Sequence, residues 1–490
     1  MPKIVQIKRL TLLISLTSLT AACSLAPEYE RPAAPVPDSW QQQEVVGANT
    51  AAQAAQLLDW QSFVTDPALA RMVQVALDNN RDLKQALLNV EAARATYGIQ
   101  RSEQLPGLNL NSEGQGQRLP DDLRTPGSNN VQHQYQTNLG MAEFELDLFG
   151  RVRNLSDAAL QEYLATEEAA NSARISLVAE VIRTFLARNG AQQRYSLANR
   201  TLEAREESLK LIAARREFGA ATDLDYQEAL GLVQQVRVEL ERIDREVRQA
   251  GNALMLLTGI TEEDSLLPAE PVAGYLIQQQ LQPGMPSELL EQRPDIRAAE
   301  RQLMARNARI GAARAAFFPR ISLTGSYGSA SAELSDLFSS GQRSWAFMPR
   351  LTLPIFDGGR NQANLDLAEV RKSMAIQAYE QSIQQAFTDV ADALVANDTL
   401  QREESAQRAL VGSSTEALRL SQSRYNAGVD DHLRYLEAQR NDFSAKRGLV
   451  DVQTQRQLAL VGLFRSLGGG WQGGGSQTLS PSLLANTEGP

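Results

Sequence analysis

Cysteine is almost absent from this 490-residue chain: Cys23 is the only one, so no disulfide can form within it. Histidine is equally scarce. His133 and His432 stand far apart, and with a single thiol they cannot assemble a Cys/His metal cluster. Beyond the first residues no run of about twenty apolar residues occurs, which excludes a later membrane-spanning helix. A membrane-embedded form must therefore use strands or a lipid. Basic residues are outnumbered by acidic ones, 48 to 58, and the net charge of -10 argues against a nucleic-acid partner. The catalytic signatures G-x-S-x-G and H-E-x-x-H and the phosphate-cradling P-loop are missing, which leaves no basis for an enzyme. Asp357-Gly358-Gly359-Arg360 is glycine-rich, but it stands between a strand pattern and a long helix pattern and reads as a turn plus helix start. No catalytic residue, metal ligand or dissociable cofactor is expected.

What the chain does have begins with a leader. Lys3, Lys8 and Arg9 precede an apolar stretch, Leu10 to Leu19, that is too short to span a bilayer, and Ala21-Ala22 supply small residues before a cut. Residues 1–22 thus read as a secretory signal whose removal leaves Cys23 first. The pattern resembles a bacterial lipoprotein signal, although Thr20 stands where leucine is usual and the leucine is Leu19. The resemblance implies a covalent lipid on Cys23, S-diacylglycerol plus an N-acyl chain. Ser24, in place of an aspartate, implies sorting to the outer membrane. Residues 24–56, with Pro27, Pro32, Pro35 and Pro37, read as an extended tether.

The body is duplicated. Asp82-Leu83 recurs as Asp295-Ile296 and Leu105-Pro106 as Phe318-Pro319, at one offset; Phe218-Gly219 recurs as Ala427-Gly428 and Thr258-Gly259 as Leu467-Gly468, at another. The expected division is a signal (1–22), a lipidated tether (23–69), a first repeat (70–259), an equatorial linker (260–282), a second repeat (283–468) and a flexible Gly/Ser-rich tail (469–490).

Each repeat holds two strand candidates, at 107–118 and 134–148 and at 320–331 and 344–356. Leu108 and Leu110 alternate with asparagines, Ile321, Leu323 and Tyr327 alternate with polar or small residues, and Trp345, Phe347, Leu351, Leu353 and Ile355 keep one parity. Tyr135, Leu139 and Met141 have the opposite parity to Phe144, Leu146 and Leu148, which predicts a bulge near Ala142. Alternation over about ten residues suits an outer-membrane barrel. Between strands lie helices. Leu155 to Glu217 would make one helix of about 95 Å, far longer than a globular helix. The return, Ala221 to Thr258, reaches only about 57 Å, and a short helix at 70–103 of about 51 Å fits if stacked end to end on it. The second repeat gives helices at 294–316, 362–426 and 432–467. Asn189-Gly190 could divide the first long helix. Val233, Val236, Leu240, Ile243, Val247, Ala250, Leu254 and Leu257 form a coiled-coil seam. Four strands cannot close a barrel, and open edges are not tolerated in lipid, so several chains must share one.

These features resemble the TolC-like outer-membrane efflux proteins (outer membrane factors), in the lipoprotein branch typified by OprM. The marks are Trp60, Phe63, Asp66-Pro67 and Leu69; Glu145 to Arg151; Gly284 to Ser287 with Arg293-Pro294-Asp295; Gly311 to Pro319; Arg424-Tyr425; and Leu467 to Trp471. The resemblance implies an α+β membrane protein: a homotrimer with a twelve-stranded β-barrel, four strands per chain, continued by a periplasmic α-helical coiled-coil barrel. It implies the exit duct of a tripartite drug-efflux pump, partnered by a periplasmic adaptor and an inner-membrane pump of the resistance-nodulation-division class, with outer-membrane lipid around it. It also implies adaptor-facing tips at Phe218, Gly219, Ala427 and Gly428. A periplasmic gate is expected at Leu433 and Glu437, one helical turn apart, where the family carries a leucine and an aspartate. Arg440 stands by as a latch, and Leu224 and Glu228 are the first-repeat counterparts. Three Glu437 carboxylates would ring the pore and favour cations. Metal export, export of signalling molecules and a pore-free lipoprotein tether remain open at this level.

Overall fold

A computed structural model describes residues 24–37, 59–120, 122, 130–260, 267–281 and 289–469 of the chain. The signal, Cys23, Gly284 to Ser287 and the tail from residue 470 lie outside the described residues. In chain order the elements are α1 (Trp60–Phe63), α2 (Pro67–Asn79), α3 (Arg81–Ser102), β1 (Asn109–Arg118), β2 (Val131–Leu146), α4 (Arg151–Glu217), α5 (Asp223–Thr258), α6 (Leu289–Gln292), α7 (Pro294–Ala315), β3 (Arg320–Ser331), β4 (Arg343–Thr352), α8 (Arg360–Asn426) and α9 (His432–Ser466). They fall into two compact units. No described helix is long and apolar enough to cross a membrane.

The first unit comprises residues up to Ala33, Leu88–Glu167 and Ala298–Glu380. It holds one antiparallel sheet in the order β1-β2-β3-β4. The strands lie close to the expected ranges, but β4 stops at Thr352 rather than continuing to residue 356. Pro354 lacks an N–H and so cannot extend a ladder. The parity change in β2 is a bulge, with the register shifting between Met141 and Phe144 and Glu143 at φ 48°. The Glu143 N–H donates to Thr324 Oγ1 across the break, at 3.2 Å.

In this same unit the residues after Cys23 are held in place. Ser24 Oγ donates to Asn154 Oδ1 at 2.8 Å, Asn307 Nδ2 donates to the Pro27 carbonyl at 2.7 Å, and the Tyr29 hydroxyl and Arg31 both donate to Glu300. A side chain at Gly311 would collide with Ala26 N and with Asn154. The expected tether therefore begins as a strap bound to α4 and α7. Burial and the neighbouring Glu300 carboxylate push the Tyr29 hydroxyl above its usual range.

The second unit comprises Ala34–Leu87, Glu168–Arg297 and the chain from Gln381. Its largest core joins Phe63, Leu69, Met72, Ile182, Phe185, Leu254, Leu276 and Phe464, all at most 3% exposed. The rings of Phe63 and Phe464 stack 4.4 Å apart. Val64 bridges Ile277 as a short antiparallel pair. Trp60 and Phe63, placed in the tether by the sequence, are thus core residues of this unit. A second correction concerns the short helix at 70–103, which is two helices. Asn80 ends α2, donates from Nδ2 to the Leu257 carbonyl and accepts the Leu83 N–H, at 2.9 and 2.8 Å. An asparagine that satisfies orphan groups on both sides makes the break stable.

The seam on α5 holds through Val233, Val236, Leu240 and Ile243, then moves to Gly251, Leu254 and Thr258, leaving Val247, Ala250 and Leu257 half-buried. A straight helix drifts against a seven-residue repeat, so the contact line shifts. Above it the linker is clamped to the long helices. Glu404 on α8, 2% exposed, accepts from the Tyr275 hydroxyl at 2.6 Å, Arg456 at 2.7 Å and Arg408 at 2.6 Å. Burial alone would raise its carboxyl, but these donors hold it at about 2.

The first long helix is not divided: α4 runs unbroken for 67 residues, as does α8. Asn189 exchanges two hydrogen bonds with Val272 of the linker, at 3.0 and 2.8 Å. A Cβ on Gly190 would strike the side chain of Thr454, whose hydroxyl is already committed to the Val450 carbonyl. Glycine is there for close approach, at some loss of helix propensity. Gly190→Ala should accordingly destabilise the chain by about 1–3 kcal/mol despite the better helix former. Adding Thr454→Ala should recover most of that loss. Helical melting read by circular dichroism checks both; a stabilised single variant would contradict the packing account.

Candidate channel wall and helix tips

The register sorts the sheet into two faces, because directly paired residues share a face. One face carries the rows Leu110–Leu139–Tyr327–Trp345, Met141–Gly325–Phe347, Phe144–Leu323–Pro349 and Leu146–Ile321–Leu351. The other carries Asn111–Asn138–Gly328–Ser344, Asn109–Gly140–Ser326–Ala346, Glu113–Gln136–Ala330 and Glu145–Ser322–Arg350. The bulge makes this possible. Without the extra residue Phe144 and Leu146 would cross to the polar side.

The apolar face is uncovered by the chain itself: Trp345 is 75% exposed and Leu351 64%. From the Tyr327 row to the Ile321 row it spans about 20 Å at the usual strand rise, close to the apolar band of an outer-membrane barrel. Tyr327 and Trp345 border it at one end. At the other the rings of Phe149 and Phe318 stack 4.7 Å apart, with Phe356 exposed nearby in sequence to the strand end. Aromatics at both ends are what a lipid-facing band requires.

The tips belong to the second unit. Gly219 and Gly428 adopt left-handed φ values of 70° and 72° just past the ends of α4 and α8. The Gly219 N–H reaches the Arg216 carbonyl and the Ala220 N–H the Arg215 carbonyl, at 3.0 and 2.7 Å; Gly428 and Val429 repeat this on Tyr425 and Arg424. Glycine closes both helices at no steric cost. Phe218 is 85% exposed, and Gly219, Ala427 and Gly428 are exposed. Past the first turn the cap is Thr222, in a capping box with Asp225. Asp223 faces Arg216 at 3.4 Å. At the second turn Asp431 is the cap and Asp430 clasps Arg424 at 2.7 Å. That bond holds the Asp430 carboxyl below the usual carboxylate range.

Of the expected gate residues, Leu433, Glu437, Arg440 and Leu224 are exposed on the chain and Glu228 is half-buried. Among the described residues Arg440 forms no ion pair within the chain. The starts of α5 and α9 come together around a residue that pattern reasoning passed over. His432, 8% exposed, packs against Tyr425 and Tyr435, whose rings stack 5.5 Å apart. Neither ring nitrogen has a hydrogen-bond partner among the described residues. Burial lowers its proton affinity against the pull of Asp225 and Glu228 on α5. Arg215 donates to the Tyr425 hydroxyl at 2.6 Å and lies over that ring, tying the end of α4 to the end of α8. The only available signal was the clustering of Tyr425, His432 and Tyr435 around the second turn.

A membrane-length sheet with one lipid-compatible face, joined to helices of 67 residues, defines an outer-membrane duct protein. The family profile "Outer membrane efflux protein" matches residues 72–260 and again 285–469, and the chain belongs to that family. It is 58% identical over 467 residues to outer membrane protein OprJ of Pseudomonas aeruginosa, covering 95% of this chain and 96% of the relative. It is 45% identical to the toluene efflux pump outer membrane protein TtgF of Pseudomonas putida, covering 95% and 98%. A crystal structure of a membrane protein from Pseudomonas aeruginosa superposes at a TM-score of 0.88 with 57% identity, covering 94% of this chain and all of that one. The open state of the Neisseria gonorrhoeae MtrE outer membrane channel superposes at 0.80 with 39% identity, covering 91% and 98%. The chain is an outer-membrane efflux channel with a transport role, and its four strands fit a twelve-stranded barrel continued by a helical barrel, as the resemblance implied.

Single cysteines test the wall, since Cys23 is the sole native thiol. In membranes, cysteines at Ala346, Met348 and Arg350 should react with a water-soluble maleimide, and those at Trp345, Phe347 and Leu351 should stay protected. Uniform labelling would refute the two-faced wall.

Proposed function

We propose that three copies of this chain close one barrel and serve as the exit duct of a tripartite pump of the resistance-nodulation-division class. The observation that carries this is the sheet itself: β1 and β4 each pair on one side only, while the face beside them is apolar. Backbone groups cannot stay unpaired in hydrocarbon, so the outer edge of β4 needs β1 of another copy. Three sheets of four strands match the even-stranded barrels of outer membranes. The printed roles of the relatives, toluene, solvent and antibiotic efflux, favour small drug-like and apolar cargo over metal ions or signalling molecules. Catalysis forms no part of this reading.

Exposed Phe218, Gly219, Ala427 and Gly428 would meet the periplasmic adaptor. Leu433 and Glu437 would narrow the pore, with Leu224, Glu228 and Arg440 at the same level. The exposure of Leu433, Glu437, Leu224 and Arg440 on the chain supports this, since pore-lining side chains are left uncovered by their own protomer. Leu433→Ala with Glu437→Ala should raise resting conductance of the purified trimer in a planar bilayer and weaken cation preference. Unchanged current from an intact trimer would move the gate elsewhere.

Cys23 would carry the lipid, two or three acyl chains giving stable anchoring where one gives marginal binding. The strap that holds Ser24 to Asn154 favours an anchor fixed beside the start of α4. Intact mass of the mature protein should show the diacylglyceryl and acyl groups; a free thiol at Cys23 or a different cut would end this part of the proposal.

A further inference from the structure

On the polar face of the sheet, charge is concentrated at the end next to the helices. The row Glu145–Ser322–Arg350 crosses β2, β3 and β4 there. Glu145 is shared: Arg151 donates to it through Nε at 2.9 Å and Nη2 at 2.7 Å, and Arg320 lies 2.6 Å away. Its acceptor capacity is taken up by two guanidiniums, and its side chain is only 9% exposed. Arg350, one strand beyond, is exposed and forms no ion pair among the described residues of the chain. Two guanidiniums thus share one carboxylate, and a third stands two strands away from it. Glu143 in the bulge, and Asp147 and Glu103 beside Arg151, are the other nearby acids; Asp147 is already paired with Arg153. Glu113, the remaining acid of this face, lies about 26 Å away along the strands.

We infer that the barrel lumen carries an anion-attracting collar at its helix-side end, with Arg350 as its exposed, specificity-determining residue. This rests on the channel reading above, in which the apolar face meets lipid and the polar face lines the pore. Arg320 and Arg151 are committed to Glu145 and serve the join between sheet and helix. Arg350 forms no ion pair among the described residues of its own chain, which leaves its charge to the lumen. Repeated in each copy, it would ring the lumen with fixed positive charge beside a low-dielectric wall, which raises the local concentration of the opposite sign. Solutes bearing a carboxylate, sulfonate or phosphate would be favoured at this level, whereas the Glu437 ring favours cations at the tips.

The test is the potassium-to-chloride permeability ratio of the full-length trimer, taken from reversal potentials under a potassium chloride gradient. It is read in the wild-type chain and in the Leu433→Ala, Glu437→Ala background, where the acidic ring is gone. Arg350→Gln should raise the ratio about twofold and Arg350→Glu about fourfold, with Arg350→Lys unchanged. The shifts should shrink near 1 M salt, where fixed charges are screened within about 3 Å. Met348→Glu, on the same face, should move the ratio the same way with Arg350 intact, so the collar is tested even if an Arg350 variant fails to assemble. Conducting variants with an unchanged ratio would overturn the collar. A parent protein that passes no current would instead strike down the channel reading.

Discussion

The outer edges of β1 and β4 present N–H and C=O groups that no described strand of the same chain satisfies, and much of the molecule answers to that. In water such edges would be solvated; against lipid they cannot be. The sheet must meet other copies, and each paired row must keep a single character for lipid and for lumen. One extra residue at Ala142-Glu143 lets β2 do this over its whole length. The left-handed Glu143 is the local cost, offset by its bond to Thr324 and by four apolar residues staying on the lipid side.

The two units solve different problems. The first combines a sheet whose apolar side is left open with helices that bury Val152, Leu303, Ala305, Ile310 and Tyr379, and polar joins such as Arg151–Glu145–Arg320 and Arg153–Asp147 tie them together. The second has a core in the ordinary sense, in which α1, α2 and the linker fill the space beside α4 and α9. Buried charge is tolerated there where it is fully paired, as at Glu404 with Tyr275, Arg408 and Arg456. Among the described residues Arg205 keeps two unpaired nitrogens, and so does His432, a buried imidazole at the start of α9. It stands where two helix starts and two helix ends converge.

Duplication shows in physical detail as well as in order. Each turn ends its long helix with a left-handed glycine and then spans itself with an arginine–aspartate pair, Arg216–Asp223 and Arg424–Asp430. Both long helices have 67 residues. The copies differ in what caps the return helix, Thr222 with Asp225 in one and Asp431 in the other. They differ too in their aromatic content, since only the second turn gathers Tyr425, His432 and Tyr435.

The sequence by itself determined whatever depends on neighbours along the chain. Alternation fixes a strand's two faces, helix length follows from an uninterrupted pattern, and Phe218-Gly219 and Ala427-Gly428 mark helix ends because glycine alone turns left without strain. The bulge was legible because a parity change needs an odd residue. Only the tertiary structure decided the points where a residue's partner is remote in sequence. Asn80 breaks a helix because Leu257 offers it a carbonyl. Gly190 leaves a helix whole because Thr454 packs against it. Trp60 and Phe63 become core because Leu276 and Phe464 come to meet them. Each of these choices depends on contacts made after the chain has folded back on itself, and no local pattern records them.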